Sequence, residues 1–433
     1  MRRFFVLLII GTMLFAGNVP VWAVDYTMIA PGVWAGAGDQ GQGDVTHALD
    51  GDNVDVDAFC LTITANGTAD DGTNGGSLDT FTIGAITDGG AVSAASNRVD
   101  LDAGGQDRAI TVNIASVQSN GLMRVDSDYA TAASVTGAVV TEALSVGGET
   151  GLVGTVGLTV GGNTTVNTTT TITAVDGNAE LVLNGATNTF TGGVTLDDGG
   201  DTAIKFSGTS AQTVTGAIDG VGDGDGVLEA GSGNASIVFN NNIGATNDLS
   251  AIDLTGTQTK TFSGTVAAND IGLDGTGATT FNGSVTTTTM DFGASAAQAN
   301  FATGSNLTGN TTVTVNENGV MNFVGNSTVT GTIGASSFAL GELQAGANGT
   351  AVSVSGASYV AATTVDGTGT LDYSSTLNGT SVDFTANGDV NIDGAATISG
   401  NVTTTASNTG DLELNGTGNT VTGDVGGAGK ELA

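Results

Sequence analysis

Two aspartate-rich segments hold the residues of this chain that are best suited to chemistry. The first, from 50 to 57, carries four carboxylates, on Asp50, Asp52, Asp55 and Asp57. The second, from 220 to 228, alternates glycine with Asp223 and Asp225. Carboxylate oxygens are the ligands that Ca²⁺ prefers, so these six side chains are weak candidate Ca²⁺ ligands, and no other cofactor is predicted. Aspartate and glycine are also common in solvated turns, which is the alternative interpretation.

Both segments depart from the usual calcium-binding loops. Asp55 stands where an EF-hand loop needs glycine. The second segment partly resembles the nonapeptide that binds Ca²⁺ in β-roll proteins, but only one copy is present, and that site needs tandem neighbours.

Other kinds of active site lack their residues. The chain has one histidine, His47, and one cysteine, Cys60, which together cannot supply the ligands of a zinc site. A Ser-His-Asp triad would have to use His47. Paired carboxylates for glycoside hydrolysis need a fixed separation, and many aspartate pairs could meet that condition. The sequence therefore predicts a protein that is not an enzyme, with a carbohydrate-active enzyme that uses stacked aspartates as the alternative.

A short repeat is the element that must position these side chains. Each copy has two short motifs, which we call its first and second beats. The first beat reads apolar-x-apolar-x-Gly, and the second reads apolar-x-Gly-x-apolar. Seven copies start at residues 181, 204, 252, 271, 321, 390 and 412, and the closest pairs start 19 to 23 residues apart. The interval of 48 residues from 204 to 252 fits one degenerate copy between them, around Leu228 and Phe239. The copies at 181 and 412 align without a gap, and their repeat positions are Leu181, Leu183, Gly185, Phe190, Gly192 and Val194, and Leu412, Leu414, Gly416, Val421, Gly423 and Val425.

The repeat predicts strands that stack into a solenoid. Apolar residues at every second position indicate strands, and the glycines mark turns, so each unit is interpreted as strand, turn, strand, turn. One unit cannot bury its apolar face alone, whereas stacked units bury a continuous stripe. Pro20 and Pro31 are the only prolines, as expected where strands pair on both edges. We expect an all-β parallel β-helix (β-solenoid) of ~20-residue coils, about 60 Å long at ~4.8 Å per coil.

Four segments follow from these patterns. Residues 1–23 are predicted to be a secretory signal peptide, with an apolar run from Phe4 to Ala16 and cleavage after Ala23. Residues 24–139 form a β-rich N-terminal region, either a cap or irregular first coils. Residues 140–425 are the repeat array, and residues 426–433 are a tail. After removal of the signal peptide, no stretch is apolar enough to span a membrane.

The charge of the chain restricts its partners. The formal net charge is −35, from 43 acidic and 8 basic residues. Such a balance argues against a nucleic-acid partner and against anionic membrane surfaces. A single cysteine allows no intrachain disulfide, so the fold must be stabilised by stacking.

The copies at 181–194 and 412–425 resemble the passenger-associated transport repeat of bacterial autotransporters. The resemblance covers about 280 residues by pattern, and it implies an exported passenger folded as a right-handed parallel β-helix and displayed on an outer membrane, often as an adhesin. The chain differs from that family in lacking a translocator barrel after the repeats. It also looks somewhat like filamentous-haemagglutinin-type adhesins and surface-layer proteins.

The expected function is therefore structural or adhesive. We expect an exported, secreted or cell-surface protein without catalytic activity, binding a host or cell-surface glycan or protein through exposed Thr, Asn and Asp residues or through the region around Trp34. Self-association into a surface layer or matrix fibre is a further alternative, because an uncapped solenoid end can stack on another chain.

Overall fold

The computed structural model describes Tyr26–Thr27, Val54–Asp55, Cys60–Thr64, Asp79–Thr87, Arg98–Asp102 and residues 110–433 except 120, 175–176, 198–200, 232, 234, 294–296 and 428. Throughout these residues the fold is all-β, with no helix. Parallel strands stack into a β-solenoid of about 13 turns, which confirms the predicted fold class.

Each coil has three sides, which we name faces A, B and C in the order in which the chain visits them. Face A contains β12 (Asn178–Leu183), β15 (Asp201–Phe206), β18 (Val227–Ala230), β20 (Leu249–Leu254), β35 (Ala396–Ile398) and β38 (Thr420–Val421). Face B contains β1 (Tyr26–Thr27), β2 (Val54–Asp55), β8 (Val139–Thr141), β10 (Thr164–Val166), β13 (Thr187–Phe190), β16 (Gln212–Thr215), β19 (Ile237–Phe239), β21 (Lys260–Phe262), β23 (Ala278–Phe281), β25 (Gln298–Phe301), β27 (Asn318–Phe323) and β36 (Val402–Thr404).

Face C contains β3 (Cys60–Thr64), β5 (Arg98–Asp102), β11 (Thr170–Ala174), β14 (Val194–Leu196), β17 (Ile218–Gly220), β28 (Ser327–Thr330), β30 (Ala351–Val354), β32 (Thr370–Tyr373), β34 (Asp389–Ile392) and β37 (Asp411–Leu414). Some strands bend around a corner. Those that run from face C onto face A are β7 (Leu122–Val135), β9 (Ala143–Val160), β22 (Val266–Leu273), β24 (Val285–Phe292) and β26 (Leu307–Val313). Those that run from face A onto face B are β4 (Asp79–Thr87), β6 (Ile110–Gln118), β29 (Leu340–Ala345), β31 (Ser358–Val365) and β33 (Leu377–Phe384).

Strands of the same face pair in parallel and in register from coil to coil. On face A, Leu181 pairs with Ile204, Ile204 with Leu228 and Leu228 with Ile252. The copy expected between 204 and 252 is therefore present, at Leu228. Backbone groups of each inner coil thus find partners in the coils on both sides.

Side chains alternate between the interior and the solvent along each strand, as the period of two predicts. In β12 every second residue is buried, and Leu181 and Leu183 are fully enclosed. The inward residues of all three faces merge into one continuous hydrophobic core. The repeat glycines are required by backbone contact between coils: a Cβ atom at Gly185 would lie 2.1 Å from the carbonyl oxygen of Gly162.

An aromatic stack fills face B in the middle of the rod. Phe239, Phe262, Phe281, Phe301 and Phe323 follow one another in successive coils, with ring centroids 4.7–5.4 Å apart and interplanar angles of 8–24°. Each ring thus packs on its neighbours as well as on the core, which adds stabilisation beyond the buried area.

The predicted unit of strand, turn, strand, turn is wrong in one respect, because the coil has three sides, which are formed by three strands or, where one strand bends around a corner, by two. The second beat of the copy at 181, from Phe190 to Val194, is not one strand, because β13 ends at Phe190 on face B and β14 begins at Val194 on face C. Gly192 and Gly193 turn the corner between them. A pattern of apolar-x-Gly-x-apolar therefore marks a corner of the coil.

Copies that align in sequence lie on different faces. Leu181 is on face A, whereas Met321 is on face B, in register with Ala299. Leu412 is on face C, in register with Val390. The three faces impose the same requirement, an inward apolar pair followed by a corner, so one sequence pattern suits all of them.

The two ends of the array continue the same stack. Among the described strands before residue 139, β4 pairs in parallel with β6 and β5 with β7. The tail from 426 to 433 completes the third side of the last coil, because the Asn408 amide donates to the Glu431 carbonyl (2.8 Å) and the Ala433 amide donates to the Gly410 carbonyl (2.9 Å).

Candidate functional site

The first aspartate segment lies mostly outside the described residues. Asp50, Asp52 and Asp57 are among the residues that the structure does not describe, as are His47 and Trp34. Asp55 lies in β2, and its backbone is in register with Thr27 and Thr87. Calcium binding by this segment stays a prediction.

The second aspartate segment forms a turn between β17 and β18. The carboxylate of Asp225, which is 8% exposed, accepts a hydrogen bond from the Gly222 amide within the same turn. The Asp223 carboxylate accepts from the Asp248 amide in the next coil (3.4 Å). In the described part of the chain, no group of three or more His, Cys, Asp and Glu side chains could hold a metal ion.

A row of charged residues occupies outward positions of face A in successive coils, and we call it the face A charged row. Lys205 is in register with Glu229, Glu229 with Asp253, Asp253 with Gly272 and Gly272 with Asp291. Glu180 in the preceding coil extends the row through its contact with Lys205.

Lys205 is held between two carboxylates in the coils on either side. Its Nζ lies 2.9 Å from Oε1 of Glu180 and 3.1 Å from Oε1 of Glu229. Burial acts to lower the pKa of Lys205, but the hydrogen bonds and charges of the two glutamates outweigh it, so the pKa is raised. The ammonium is therefore a positive charge in a row whose other charged members, Glu180, Glu229, Asp253 and Asp291, are acidic.

Asp253 is the carboxylate of the row with the most unfavourable surroundings. Partial burial raises its pKa, and the negative charges of Glu229, Asp274 and Asp270 raise it further. Gly272, its neighbour in the next coil, has no side chain to cover it, and a Cβ atom there would lie 3.4 Å from Oδ1 of Asp253. A carboxyl group whose pKa is raised, beside other carboxylates, is the arrangement that acid–base chemistry uses, although structural clusters share it.

Three carboxylates nearer the C-terminal end of the rod are hydrogen-bonded to neutral side chains. The Asn391 amide donates to Oδ1 of Asp372 (2.7 Å), and the Thr364 hydroxyl donates to Oε1 of Glu342 (2.6 Å). The Thr312 hydroxyl likewise donates to Oδ1 of Asp291 (2.6 Å). These acids form polar ladders with threonine and asparagine across neighbouring coils.

Asparagine side chains link the coils at their corners. Asn242 Oδ1 accepts from the Thr265 amide (3.0 Å), Asn306 Oδ1 from the Thr328 amide (2.8 Å) and Asn401 Oδ1 from the Asp424 amide (3.0 Å). Each bond satisfies a backbone amide at or next to the end of a strand or of a single β-bridge, so these asparagines serve the fold rather than a ligand.

The repeat positions of the copies at 181 and 412, which align without a gap, have different surroundings. Leu181, Leu183, Phe190 and Val194 are at most 1% exposed. Leu412, Leu414 and Val421 are only partly buried against the core, and Val425 is 58% exposed. The four repeat glycines Gly185, Gly192, Gly416 and Gly423 all lie against the backbone of the preceding coil.

Comparison with known proteins gave no match to a family model, to a curated protein or to a solved structure. Within the described residues, no helix is long and apolar enough to cross a membrane.

The sequence contains the signal for the face A charged row, in the middle residue of each apolar-x-apolar triplet. Lys205, Glu229 and Asp253 are the middle residues of three triplets that the repeat places in successive coils. Recognising them as one row required the coil-to-coil register, which the degenerate copy around Leu228 obscures.

Proposed function

We propose that the protein is an exported, non-catalytic β-solenoid of the cell surface with a structural or adhesive role. The observation that carries the proposal is the contrast between the two sides of each strand. Most inward positions in register are apolar, as in Leu181, Ile204 and Leu228, whereas outward positions vary in charge. Charge variation concentrated on the outer surface is what a rigid rod that displays binding residues requires.

The face A charged row is the proposed contact surface for a cell-surface glycan or protein. Lys205 is oriented by Glu180 and Glu229, so it loses little further conformational freedom when a ligand binds. The surrounding carboxylates favour a partner with cationic or hydroxyl groups and disfavour nucleic acid.

Binding to immobilised glycans and to intact cells tests the adhesive role. The variant Asp253→Asn with Glu229→Gln removes two charges of the row, and Asp372→Asn on face C is the matched control. We expect the control to bind as the wild type does and the row variant to bind at least tenfold more weakly. Equal binding by all three proteins would rule out the row as the contact surface.

Export is tested separately, by expressing the full chain in a bacterium with a general secretory pathway. We expect a mature N-terminus at Val24 outside the cytoplasm. An intact N-terminus on protein that stays in the cytoplasm would contradict the proposal.

The surroundings of Asp253 favour a second candidate, a carbohydrate-active enzyme. Its raised pKa suits a general acid, and Glu229, Asp270 or Asp274 would supply the second carboxylate. Incubation with neutral and acidic polysaccharides distinguishes the two candidates. Release of reducing ends by the wild type but not by Asp253→Asn would establish the enzyme, and no release by either protein is the result that we expect.

A further inference from the structure

One corner of the rod exposes apolar side chains that the core does not use. Every phenylalanine between Phe190 and Phe384 is buried except Phe338, which is 46% exposed. Val315, in the preceding coil, is 43% exposed at the same corner, where the chain passes from face A to face B. Aromatic side chains are enriched at protein interfaces, so a ring left in solvent while its counterparts fill the core is a candidate contact group.

Two hydrogen bonds fix this corner across neighbouring coils. The side-chain oxygen of Asn316 accepts from the Ala339 amide, and the Glu317 amide donates to the Ala339 carbonyl, both at 2.8 Å. The side chains of residues 314–317 and 335–338 are all exposed. We call residues 314–317 and 335–339 together the Phe338 corner. Its two turns form one continuous surface that the backbone holds in place.

An equivalent turn elsewhere shows that folding does not require the ring. The Phe338 amide donates to the Ala335 carbonyl (3.0 Å), and the Ala335 amide donates to the Phe338 carbonyl (2.9 Å). Gly427 and Lys430 exchange the same two hydrogen bonds (3.0 and 2.8 Å), and a glycine with positive φ precedes each turn. A lysine thus occupies the position of Phe338 in the second turn, so this turn geometry does not select an aromatic residue.

Glu317 is a second residue that the turn geometry does not favour. Its φ is 64°, in the left-handed region that suits glycine, and only Glu317 and Asn408 combine a side chain with positive φ in the described part of the chain. A glutamate at this position costs backbone energy that glycine would avoid. Residues strained in this way are concentrated at functional sites, which makes the exposed carboxylate a second candidate contact group.

The charge around the corner is negative. Residues 261–429 contain no lysine, arginine or histidine. The carboxylate of Asp291, which accepts from the Thr314 hydroxyl (3.0 Å), places a further negative charge beside the turn that holds Glu317. A cationic group is therefore attracted to this corner, and an anionic group is repelled.

We propose that the Phe338 corner binds an arginine- or lysine-bearing segment of a partner protein. The cationic group packs on the face of the Phe338 ring and interacts with the Glu317 carboxylate, and Val315 contacts the aliphatic part of the same side chain. A ring and a carboxylate at one corner both attract a cation, which neither an acidic nor a neutral partner supplies. Although Asp291 ends the face A charged row, binding at the corner depends on Phe338, so it succeeds or fails independently of the proposed role of the row.

Fluorescence anisotropy of a labelled peptide with the full chain tests the proposal, in about 150 mM salt to screen distant charges. The probe has four arginines separated by serines, and the comparison peptide has glutamine in place of each arginine. Phe338→Ser removes the ring without changing the charge, and Val324→Ser is the matched control, because Val324 is 49% exposed elsewhere in the same coil as Val315. We expect Val324→Ser and Phe338→Tyr to bind the arginine peptide as the wild type does, and Phe338→Ser to bind it about fivefold more weakly.

Several results would overturn the inference. Equal binding of the arginine peptide by the wild type and Phe338→Ser assigns the attraction to charge spread over the rod. The glutamine peptide binding as tightly as the arginine peptide excludes recognition of a cation, and no binding of the arginine peptide at about 1 mM excludes the site. Binding of a neutral oligosaccharide, or association between copies of the chain, that Phe338→Ser weakens while peptide binding is unchanged assigns the corner to that occupant instead. Circular dichroism checks that Phe338→Ser is folded, and Phe338→Leu replaces it if it is not.

Discussion

Two regions of the rod follow the same sequence pattern but differ in what surrounds them. They are the central coils between Ile237 and Phe323 and the last coil from Asp411 to Ala433. In the central coils the inward phenylalanines are enclosed on both sides and stack on one another. In the last coil the corresponding apolar residues are covered on one side only. The comparison shows that the burial of a coil is supplied by its neighbours, not by its own residues.

Unequal burial implies unequal local stability along the rod. Stability in repeat proteins is approximately a sum of unit and neighbour-interface contributions, so a coil with one interface opens more readily than a coil with two. We therefore expect central substitutions to destabilise the whole rod and terminal ones to affect only the last coil.

The largest effect is expected from Phe281→Ala in the middle of the aromatic stack. Phe281 is fully buried and contacts Phe262 and Phe301, so its loss leaves a cavity and removes two ring contacts. We expect the free energy of unfolding in urea to fall by about 3–5 kcal/mol. For Val421→Ala in the last coil we expect about 1 kcal/mol or less, and similar costs at the two positions would contradict the proposed difference.

Lys260 is expected to destabilise the central coils, because it is the one buried charged side chain among the described residues between 237 and 323. It is 1% exposed, and its ammonium donates to the carbonyl of Thr255. Its neighbour on the same face two coils earlier, Gln212, donates to two corner carbonyls instead. We expect Lys260→Gln to raise the free energy of unfolding at neutral pH by about 1–2 kcal/mol.

The pH dependence of stability gives a second test of Lys260. Burial alone lowers the pKa of its ammonium, so between that lowered pKa and the ordinary value of 10.5 the unfolded chain binds more protons than the folded one. The Lys260 contribution to stability therefore rises with pH in that interval. The stability difference between Lys260→Gln and the wild type should shrink there, and a constant difference would contradict the assignment.

The corner asparagines allow a smaller test of the same comparison. Asn306→Ala removes the acceptor of the Thr328 amide and is expected to cost about 1 kcal/mol, whereas Asn306→Asp keeps an acceptor and is expected to cost less. Asn401→Ala removes the acceptor of the Asp424 amide, which belongs to the last coil. Amide hydrogen exchange should therefore show global destabilisation for Asn306→Ala and local opening for Asn401→Ala.

The smallest effect is expected at Asp253 on the outer surface. Its raised pKa means that the folded chain binds more protons just above pH 3.8, so the contribution of Asp253 to stability falls as pH rises through the raised pKa. Asp253→Asn should stabilise the rod by about 0.5 kcal/mol at pH 7, less in high salt, and not at pH 3. Glu413→Gln in the last coil is the control, for which we expect no change.

The sequence was sufficient to predict the fold class and the inward residues. Alternating apolar residues and fixed glycines, such as Leu181, Leu183 and Gly185, are dictated by local strand geometry and by contact between coils. These requirements act within a few residues of the chain, so they can be recognised without knowing which coil touches which.

The number of sides and the positions of the outer residues could not be predicted in the same way. The segment from Phe190 to Val194 looks like one strand in the sequence, because nothing in the pattern distinguishes a corner from a strand. The face A charged row depends on the register of residues 19–24 positions apart, which is set by the turns and not by the triplets themselves. The sequence therefore pointed to Asp223 and Asp225 in a turn, whereas the structure brings together Lys205, Glu229 and Asp253.

The central claim is that coils have three sides and that similar copies occupy different faces. Two alternative pairings of Asn322 test it directly. In the structure Asn322 is in register with Asn300 on face B, and the Asn322 amide donates to Oδ1 of Asn300 (3.2 Å). If the copy at 321 continued face A, where the copies at 252 and 271 lie, Asn322 would instead pair with Asp291, which follows Asp253 and Gly272 on that face.

Two double-cysteine variants in a Cys60→Ser background distinguish the pairings, Asn300→Cys with Asn322→Cys and Asp291→Cys with Asn322→Cys. Neighbours in register lie about 4.8 Å apart, within the span that a disulfide bridges. Under mild oxidation we expect the first pair to form an intramolecular disulfide and the second to keep both thiols free, as counted by thiol labelling and intact mass. A disulfide in the second pair and free thiols in the first would contradict the three-sided coil.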